Sequence, residues 1–417
     1  MKHKLFTLIL FLCCISNIMQ GQDSISPRRF SPVNYSDTKT WVVLTATGAG
    51  LSLTGTIANA TKSDWQPTYF AKEKTTVADF VQYTPAAFPW LMKMCGSPTR
   101  SGWGRMAVSH GASVAIMAAS ISIIKDNHPT LRPDASDMRS FPSGHSAWAY
   151  LGATLTAREL AWRNPWYAMG AYSVASALAM QRIIDRRHMP CDVAAGAGIG
   201  ILSAQAGYYI GDIISGERQL ENKFSSPSTP NGNTPSISLI NTFSIPLSNI
   251  SLPKVKITPS PAFETSIKGS YPIADNWGIA LSANTRSTPI FAETADMRTY
   301  VAPLNSVGAS IAPYYYTAIS NRISLEAEIT GRYDHIFSLQ SISRDIYCSH
   351  NSYGGKVNVS ITFRISDELC TGASIGYELQ QYDFGVKESN IYGISDPSTE
   401  NVILHSIAVG VSTQIKF

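Results

Sequence analysis

The stretch KVNVSITFRI, residues 356–365, alternates strictly between polar and apolar side chains. Its valines, isoleucines and phenylalanine occupy every second position, so they all lie on one face of an extended chain. A period of two is typical of a β-strand that has one apolar face. The same alternation is present in RISLEAEITGRY (322–333) and in SIAVGVSTQIKF (406–417), which ends the chain. This part of the protein is therefore predicted to be a sheet.

Eight such segments follow one another in the C-terminal part of the chain. The predicted strands cover 237–247, 262–271, 277–286, 305–315, 322–333, 355–366, 371–382 and 403–417. The connections between them are alternately long and short, as a transmembrane barrel with tight turns at one end and long loops at the other requires. Closure into a barrel also leaves no unpaired edge. We therefore predict an eight-stranded antiparallel transmembrane β-barrel over 237–417, with a secreted β-sandwich as the alternative.

The N-terminal half has a different pattern, rich in Ala, Gly, Ser and Thr with apolar runs of helical length. The predicted helices cover 40–61, 77–95, 106–124, 146–162, 166–181 and 192–214. They predict an all-α helical bundle over 37–216. Residues 217–236 are predicted to be a linker, because 222–236 are dominated by Ser, Pro and Asn. The fold class is therefore α + β in two domains.

Composition and the N-terminus indicate a secreted protein that associates with a membrane. Hydrophobic residues make up 44% of the chain and charged residues only 15%, a low charge density for a soluble enzyme. The net charge of +4 is too small to indicate nucleic-acid binding. Two lysines precede an apolar stretch within residues 1–22, which predicts a signal peptide, with a retained anchor as the alternative. The cysteines lack metal-site spacing, and we expect no metal or other cofactor.

The predicted barrel also suggests a location. Its last strand ends in Phe417, which resembles the carboxyl-terminal signal of bacterial outer-membrane proteins. An even strand count puts both barrel ends on one side of the membrane, so periplasmic turns would place the helical half in the periplasm. We expect a Gram-negative outer-membrane protein whose helical half lies beneath that membrane. Whether the helices contact lipid stays open.

Three short stretches of the helical half concentrate cations and histidines: KDNHPTLRP, SFPSGHSAW and QRIIDRRHMPCD. The residues of interest are Lys125, Arg132, Ser143, Gly144, His145, Arg182, His188 and Asp192. Three cations can neutralise the oxygens of a phosphoryl group, while one imidazole attacks phosphorus and the other protonates the leaving oxygen. This inventory matches phosphoryl transfer to a histidine.

The spacing within these stretches supports the same chemistry. Ser143 and Gly144 open a predicted helix, so free backbone amides can point at an anion. Asp192 stands one helical turn beyond His188, where it can accept the proton on one ring nitrogen and leave the other free to attack. His110 lies in an apolar stretch and is predicted to be a buried structural histidine.

The order Lys-x6-Arg-Pro, Pro-Ser-Gly-His and Arg-x5-His-x3-Asp resembles the type-2 phosphatidic acid phosphatase superfamily, over residues 125–214. That superfamily includes lipid phosphatases, bacterial acid phosphatases and vanadium haloperoxidases. The resemblance implies that His188 is the nucleophile, Asp192 orients it and His145 protonates the leaving group. It further implies that phosphate is bound by Lys125, Arg132, Ser143, Gly144 and Arg182. The chain departs from the family at Gln181, where a serine is usual.

Three functions are compatible with these features. The first is a lipid phosphate phosphatase, acting on lipid A, undecaprenyl diphosphate or a phosphatidic acid-type substrate, with membrane lipid as its partner. The second is a periplasmic acid phosphatase acting on small phosphate esters. The third is an outer-membrane barrel whose helical domain binds phosphate without catalysis. The complete set of site residues favours an enzyme, and the low charge and the barrel favour the lipid substrate.

Overall fold

The computed structural model of the protein describes residues 38–60, 77–215, 231–251, 256–293, 298–337, 346–386, 389–390, 393–394 and 398–417. The predicted signal peptide and most of the predicted linker lie outside these residues. Two halves are present, a helical half that ends at Ile214 and a strand half that begins at Ser236.

The described part of the helical half contains seven helices. They are α1 Thr38–Ala60, α2 Val77–Val81, α3 Thr84–Met94, α4 Trp103–Asn127, α5 Gly144–Leu160, α6 Trp166–Ile184 and α7 Pro190–Ile214. The single helix predicted over 77–95 is wrong, because it is interrupted at Gln82 and Tyr83 before a proline enters the first turn of α3. Proline lacks a backbone N–H and is accommodated where a helix begins.

The strand half contains eight long strands and several short ones. They are β1 Ser236–Pro246, β2 Ile250–Ser251, β3 Lys256–Pro259, β4 Ala262–Pro272, β5 Trp277–Glu293, β6 Arg298–Ala318, β7 Ile323–Ile336, β8 Ile346–Cys348, β9 Asn351–Arg364, β10 Leu369–Val386, β11 Ser389–Asn390, β12 Gly393–Ile394 and β13 Ser398–Lys416. The eight long strands correspond to the eight predicted segments.

These long strands form a closed antiparallel barrel in which each strand pairs with its neighbours in sequence. The order around the ring is β1, β4, β5, β6, β7, β9, β10 and β13. Ser236 pairs with Lys416, which joins the first strand to the last and closes the ring. The predicted eight-stranded barrel is confirmed, and the β-sandwich alternative is wrong.

The long connection predicted over 287–304 is wrong, because β5 and β6 continue through it and stop only at 293 and 298. Their paired ends are buried on both faces. Phe291 and Tyr300 pack against Met189 and Cys191 of the helical half, while Ile290 lies in an apolar cluster on the other face. A strand that is buried on both sides has no polar face, so the alternation on which the prediction depended is lost.

The barrel lumen is filled by side chains. Arg286, Arg332 and Lys268 each form ion pairs with inward-facing carboxylates, among them Glu264, Glu378, Glu326 and Glu328. An apolar cluster lies beyond these pairs, toward the long-loop end. Outward-facing positions are instead apolar and exposed, as on a lipid-facing wall. Examples are Ile267, Leu281, Ile311, Ile329, Val357 and Ile375.

The helical half packs along the outer wall of the barrel instead of below one end of it. Leu239 and Phe243 point outward from β1, yet both are buried, and they pack in clusters that contain Met169 and Met180 of α6. Asn241, between them, donates a hydrogen bond of 2.9 Å to the hydroxyl of Ser176. The wall at β1 is therefore covered by helices, in contrast to the exposed positions elsewhere around the ring.

Candidate functional site

The predicted site residues meet at one end of the helical half, where α5 and α7 begin and α4 and α6 end. Ser143 caps α5, and its hydroxyl lies 3.0 Å from that of Ser146. Its backbone N–H donates to the carbonyl of Asp192 at 2.8 Å, which ties the starts of α5 and α7 together. The close approach requires Gly196, since a Cβ there would stand 2.3 Å from the carbonyl oxygen of Ser143.

His188 and Asp192 lie together, fully buried, at the start of α7. The Nδ1 of His188 is 3.8 Å from the Oδ2 of Asp192, longer than a hydrogen bond. The same Oδ2 accepts hydrogen bonds from the hydroxyl of Ser140 at 2.6 Å and from the backbone N–H of Met189 at 2.8 Å. Two donors thus fix the carboxylate beside the imidazole, at ion-pair distance from it but not at hydrogen-bond distance.

His145 occupies the second position of α5 and has a different partner. Its Nε2 lies 2.9 Å from the Oδ1 of Asp79, which stands on the short helix α2. Asp79 is more exposed than His145, so the pair lies toward the opening of the site. A histidine that contacts a carboxylate at the edge of a site can give and take a proton.

The three predicted cations are also brought to this end of the bundle. The Nζ of Lys125 donates to the carbonyl of Arg139 at 2.8 Å. The Nε of Arg132 is 2.8 Å from the Oδ1 of Asp137. Arg182 is buried, and its Nε has no hydrogen-bond partner among the described residues. The described part of the chain therefore offers no acceptor to this buried donor.

The electrostatic environment distinguishes the two histidines. Burial lowers the pKa of His188 to about 3, against the opposing effect of Asp192. Burial, followed by the charge of Arg182, also lowers the pKa of His145, while Asp79 raises it. Arg132 and Arg182 act on both imidazoles, so the four groups share one site. His188 is consequently neutral at ordinary pH, which is the state a nucleophile needs.

Sequence reasoning missed several residues that position this site. Ser140 stands inside the quoted stretch SFPSGHSAW, yet only the fold brings its hydroxyl to Asp192. Asp79 has no sequence signal, because 66 positions separate it from His145. Arg187, which the motif leaves aside, forms an ion pair of 2.9 Å with Asp134 and so joins the loop before α7 to the loop before α5.

His110 is confirmed as a buried structural histidine. Its Nδ1 accepts a hydrogen bond of 2.9 Å from the indole of Trp90, and its Nε2 lies 3.1 Å from the hydroxyl of Tyr208. Both ring nitrogens therefore have partners. Within the described part of the chain, no group of three or more His, Cys, Asp or Glu residues is arranged to hold a metal ion.

The chain matches known proteins in both halves. Residues 39–213 match the model of the PAP2 superfamily. A curated relative is the lipid A 1-phosphatase of Porphyromonas gingivalis, which is 27% identical over 340 residues, with 75% of this chain and 73% of the relative covered. Its similarity extends beyond the length of the helical half.

Solved structures resemble each half separately. The outer-membrane protein OprG from Pseudomonas aeruginosa covers 45% of this chain and 98% of its own, at 12% identity and a TM-score of 0.37. LpxE from Aquifex aeolicus covers 37% of this chain and 91% of its own, at 18% identity and a TM-score of 0.26.

Proposed function

We propose that this chain dephosphorylates a membrane lipid through a phosphohistidine at His188. Its residues 39–213 are a PAP2 superfamily domain, and together with the lipid A 1-phosphatase relative this makes the chain a phosphatase, a phosphoric monoester hydrolase. The observation that carries the proposal is the buried, neutral imidazole of His188 beside a fixed carboxylate and the unpaired donor of Arg182. The relative from Porphyromonas gingivalis, a lipid A 1-phosphatase, supports a lipid phosphate as the substrate.

The first step forms a bond between the Nε2 of His188 and phosphorus and breaks the bond between phosphorus and the lipid oxygen. His145 gives its proton to that leaving oxygen, while Asp192 stabilises the positive charge that develops on the His188 ring. Lys125, Arg132 and Arg182 neutralise the charge on the phosphoryl oxygens. The backbone amides at the start of α5 would add further donors to the same oxygens.

The second step hydrolyses the phosphohistidine. His145, now neutral, takes a proton from a water molecule as its oxygen bonds to phosphorus, and the bond to His188 breaks. Inorganic phosphate leaves, and both histidines return to their starting protonation states. No step in this sequence requires a metal ion, so we expect EDTA to leave phosphate release unchanged.

The proposal is tested by phosphate release from the full-length protein in detergent, with a lipid phosphate and p-nitrophenyl phosphate as parallel substrates. We expect His188→Ala to reduce the rate by about 10⁴-fold or more, since a lost nucleophile is not replaced. His405→Ala, on the barrel wall, is the matched control and should retain full activity. Equal rates for His188→Ala and the unmodified protein would exclude the mechanism.

A second measurement tests the intermediate directly. Brief reaction with ³²P-labelled substrate followed by alkaline quench should leave label on the protein that is stable to alkali and released by acid. Vanadate, which adopts the geometry of the transition state, should inhibit far more strongly than phosphate. Preference for the small ester over the lipid would favour a general acid phosphatase. Hydrolysis of neither substrate would leave a domain that only binds phosphate.

A further inference from the structure

Part of the surface of the helical half is apolar and does not contact the barrel. Two of its helices, α4 and α7, are long and apolar enough to cross a membrane. The most apolar window of α7 is 72% buried, as in a core helix, whereas that of α4 is only 28% buried. The apolar face of α4 therefore remains uncovered in the folded protein, and Ile123 and Leu91 are among the large exposed side chains on this half.

Exposed aromatic residues form two bands that include both halves of the molecule. Near the short barrel turns they are Tyr271, Trp277, Trp103, Trp166 and Phe417. Trp166 of α6 contacts Phe417 at the end of the barrel, with ring centroids 6.4 Å apart. Near the long loops they are Tyr333, Tyr353, Phe80 and Tyr83. Aromatic side chains of membrane proteins concentrate at both interfaces of the bilayer, which sets the two halves at the same depth.

The direction of the helical half relative to the barrel is fixed at both ends. At the turn end, the backbone N–H of Phe417 donates to the carbonyl of Pro235, and Asn231 donates to the carbonyl of Ser320 in a short turn. The chain thus enters and leaves the barrel there. The ion pair of Arg105 with Asp212 puts the start of α4 beside the end of α7, the end from which the chain continues to the barrel.

The phosphatase site lies at the opposite end. Met189 and Cys191, which flank the start of α7, pack against Phe291 and Tyr300, close to where β5 ends and β6 begins. Helix α7 has 25 residues and is about 37 Å long at 1.5 Å per residue. This length exceeds the hydrocarbon thickness of a bilayer, about 30 Å. The two ends of α7 are therefore far enough apart to lie on opposite sides of a membrane that surrounds the barrel.

From these contacts we infer that the helical half stands in the same bilayer as the barrel and that its site opens on the exterior face. Short turns of outer-membrane barrels face the periplasm and long loops face outward. The site is then level with the headgroups of the outer leaflet, and the substrate is a phosphorylated lipid of that leaflet. This orientation is opposite to the periplasmic one expected from the sequence. Only the substrate assignment rests on the proposed function.

Thiol labelling of intact cells tests this orientation without reference to catalysis. Cys95 is exposed and follows α3, while Cys191, Cys348 and Cys370 are buried. Lys93 of α3, two residues before Cys95, lies over the ring of Trp103 and so puts this end of α3 at the turn end. Met138 is 50% exposed in the loop beside the site. We would compare the unmodified protein, in which Cys95 is the exposed thiol of the described residues, with the double variant Cys95→Ser/Met138→Cys. The probe is a charged maleimide that does not cross the outer membrane.

The double variant should be labelled on intact cells, and the unmodified protein only after the outer membrane is permeabilised. Labelling of both only after permeabilisation would place the helical half in the periplasm and overturn the inference. Labelling of Cys95 alone on intact cells, or of both positions, would overturn it as well. A buried, unreactive Met138→Cys thiol is detected by denatured labelling, and Asp137→Cys in the same background then replaces it.

A second experiment measures whether the phosphorylated lipid of the outer leaflet is the substrate. Cells that express the active protein should lose lipid phosphate from the outer leaflet, and cells that express His188→Ala should not. Surface labelling of the double variant without any phosphatase activity would refute the proposed function and leave the orientation standing. Phosphatase activity combined with a periplasmic labelling pattern would refute the orientation and leave the proposed function standing.

Discussion

The barrel lumen and the phosphatase site are both clusters of buried charge, but they differ in how their charges are paired. In the lumen, Arg332 contacts three carboxylates, those of Glu264, Asp334 and Glu378, at 2.8 to 3.0 Å. In the site, Arg182 is also buried, yet among the described residues no carboxylate lies within 4.0 Å of it, and its Nε has no hydrogen-bond partner.

The difference shows how a structural cluster is told from a functional one. Burial of an ion is tolerated when partners on the same chain satisfy it, and a complete network rigidifies its surroundings. A site that binds an anion instead needs donors that the protein itself leaves available. Lys125 fits the second pattern, since it donates to a backbone carbonyl, and its side chain contacts no carboxylate of the described residues within ion-pair distance. The predictions below test this distinction.

The largest expected effect is on the stability of the barrel. Arg332→Gln should lower the free energy of unfolding by about 3–5 kcal/mol, because it leaves the buried Asp334 without its cation and Glu264 and Glu378 with Arg286 alone. Phosphate release by the folded fraction should be unchanged. Urea unfolding in micelles, followed by heat-modifiable migration, measures the loss. Lys256→Gln, which breaks the exposed pair with Glu293, is the control and should cost less than about 1 kcal/mol.

The opposite result is expected for Arg182→Gln. Loss of the Arg182 guanidinium should lower kcat by about 10²- to 10³-fold, the usual cost of one charge-stabilising donor in a site. The free energy of unfolding should stay unchanged. Arg139→Gln, which breaks an exposed ion pair with Asp126 near the same site, should retain activity. A large loss of stability in Arg182→Gln would mean that the charges of the site, like those of the barrel lumen, serve mainly to stabilise the fold.

A smaller effect is expected for Ser140→Ala, a positioning residue that acts through Asp192. Loss of one of the two donors to the Oδ2 of Asp192 should reduce kcat by about 10-fold, with KM nearly unchanged. Ser140→Thr retains the hydroxyl and should recover most of the rate. Equal losses in both variants would show that this position matters for packing only.

The smallest effect is on the pH profile. The pKa of His188 is held near 3, so the nucleophile stays neutral from pH 8 to pH 5. Burial lowers the pKa of His145 from its usual value, and this acid becomes more protonated as the pH falls. A lipid phosphate with a poor leaving group should therefore gain more in kcat/KM toward pH 5 than p-nitrophenyl phosphate does. Identical profiles for the two substrates would contradict the role of His145.

The sequence predicted the barrel more accurately than the bundle. Strict alternation located all eight long strands, because each has one face in the lumen and one outside. It failed at 287–304, where β5 and β6 are buried on both faces. In the helical half, small residues are abundant on every side of the helices, and the pattern did not reveal the break before Thr84. The motif residues were predicted from the sequence, and the fold brings them to one end of the bundle, whereas Asp79 and Ser140 were recognised only from their contacts.

The sequence by itself determined the two architectures, their order along the chain and the chemical inventory of the site, since periodicity and motif spacing are local properties. Only the tertiary structure decided which charges are paired with a carboxylate, because ion pairs such as that of Arg286 with Glu378 join residues far apart in the chain. It also decided where the bundle stands. The apolar side chains of Leu239 and Phe243 are removed from solvent when they pack against α6, which is favourable. This packing places the site beside the long-loop end of the barrel.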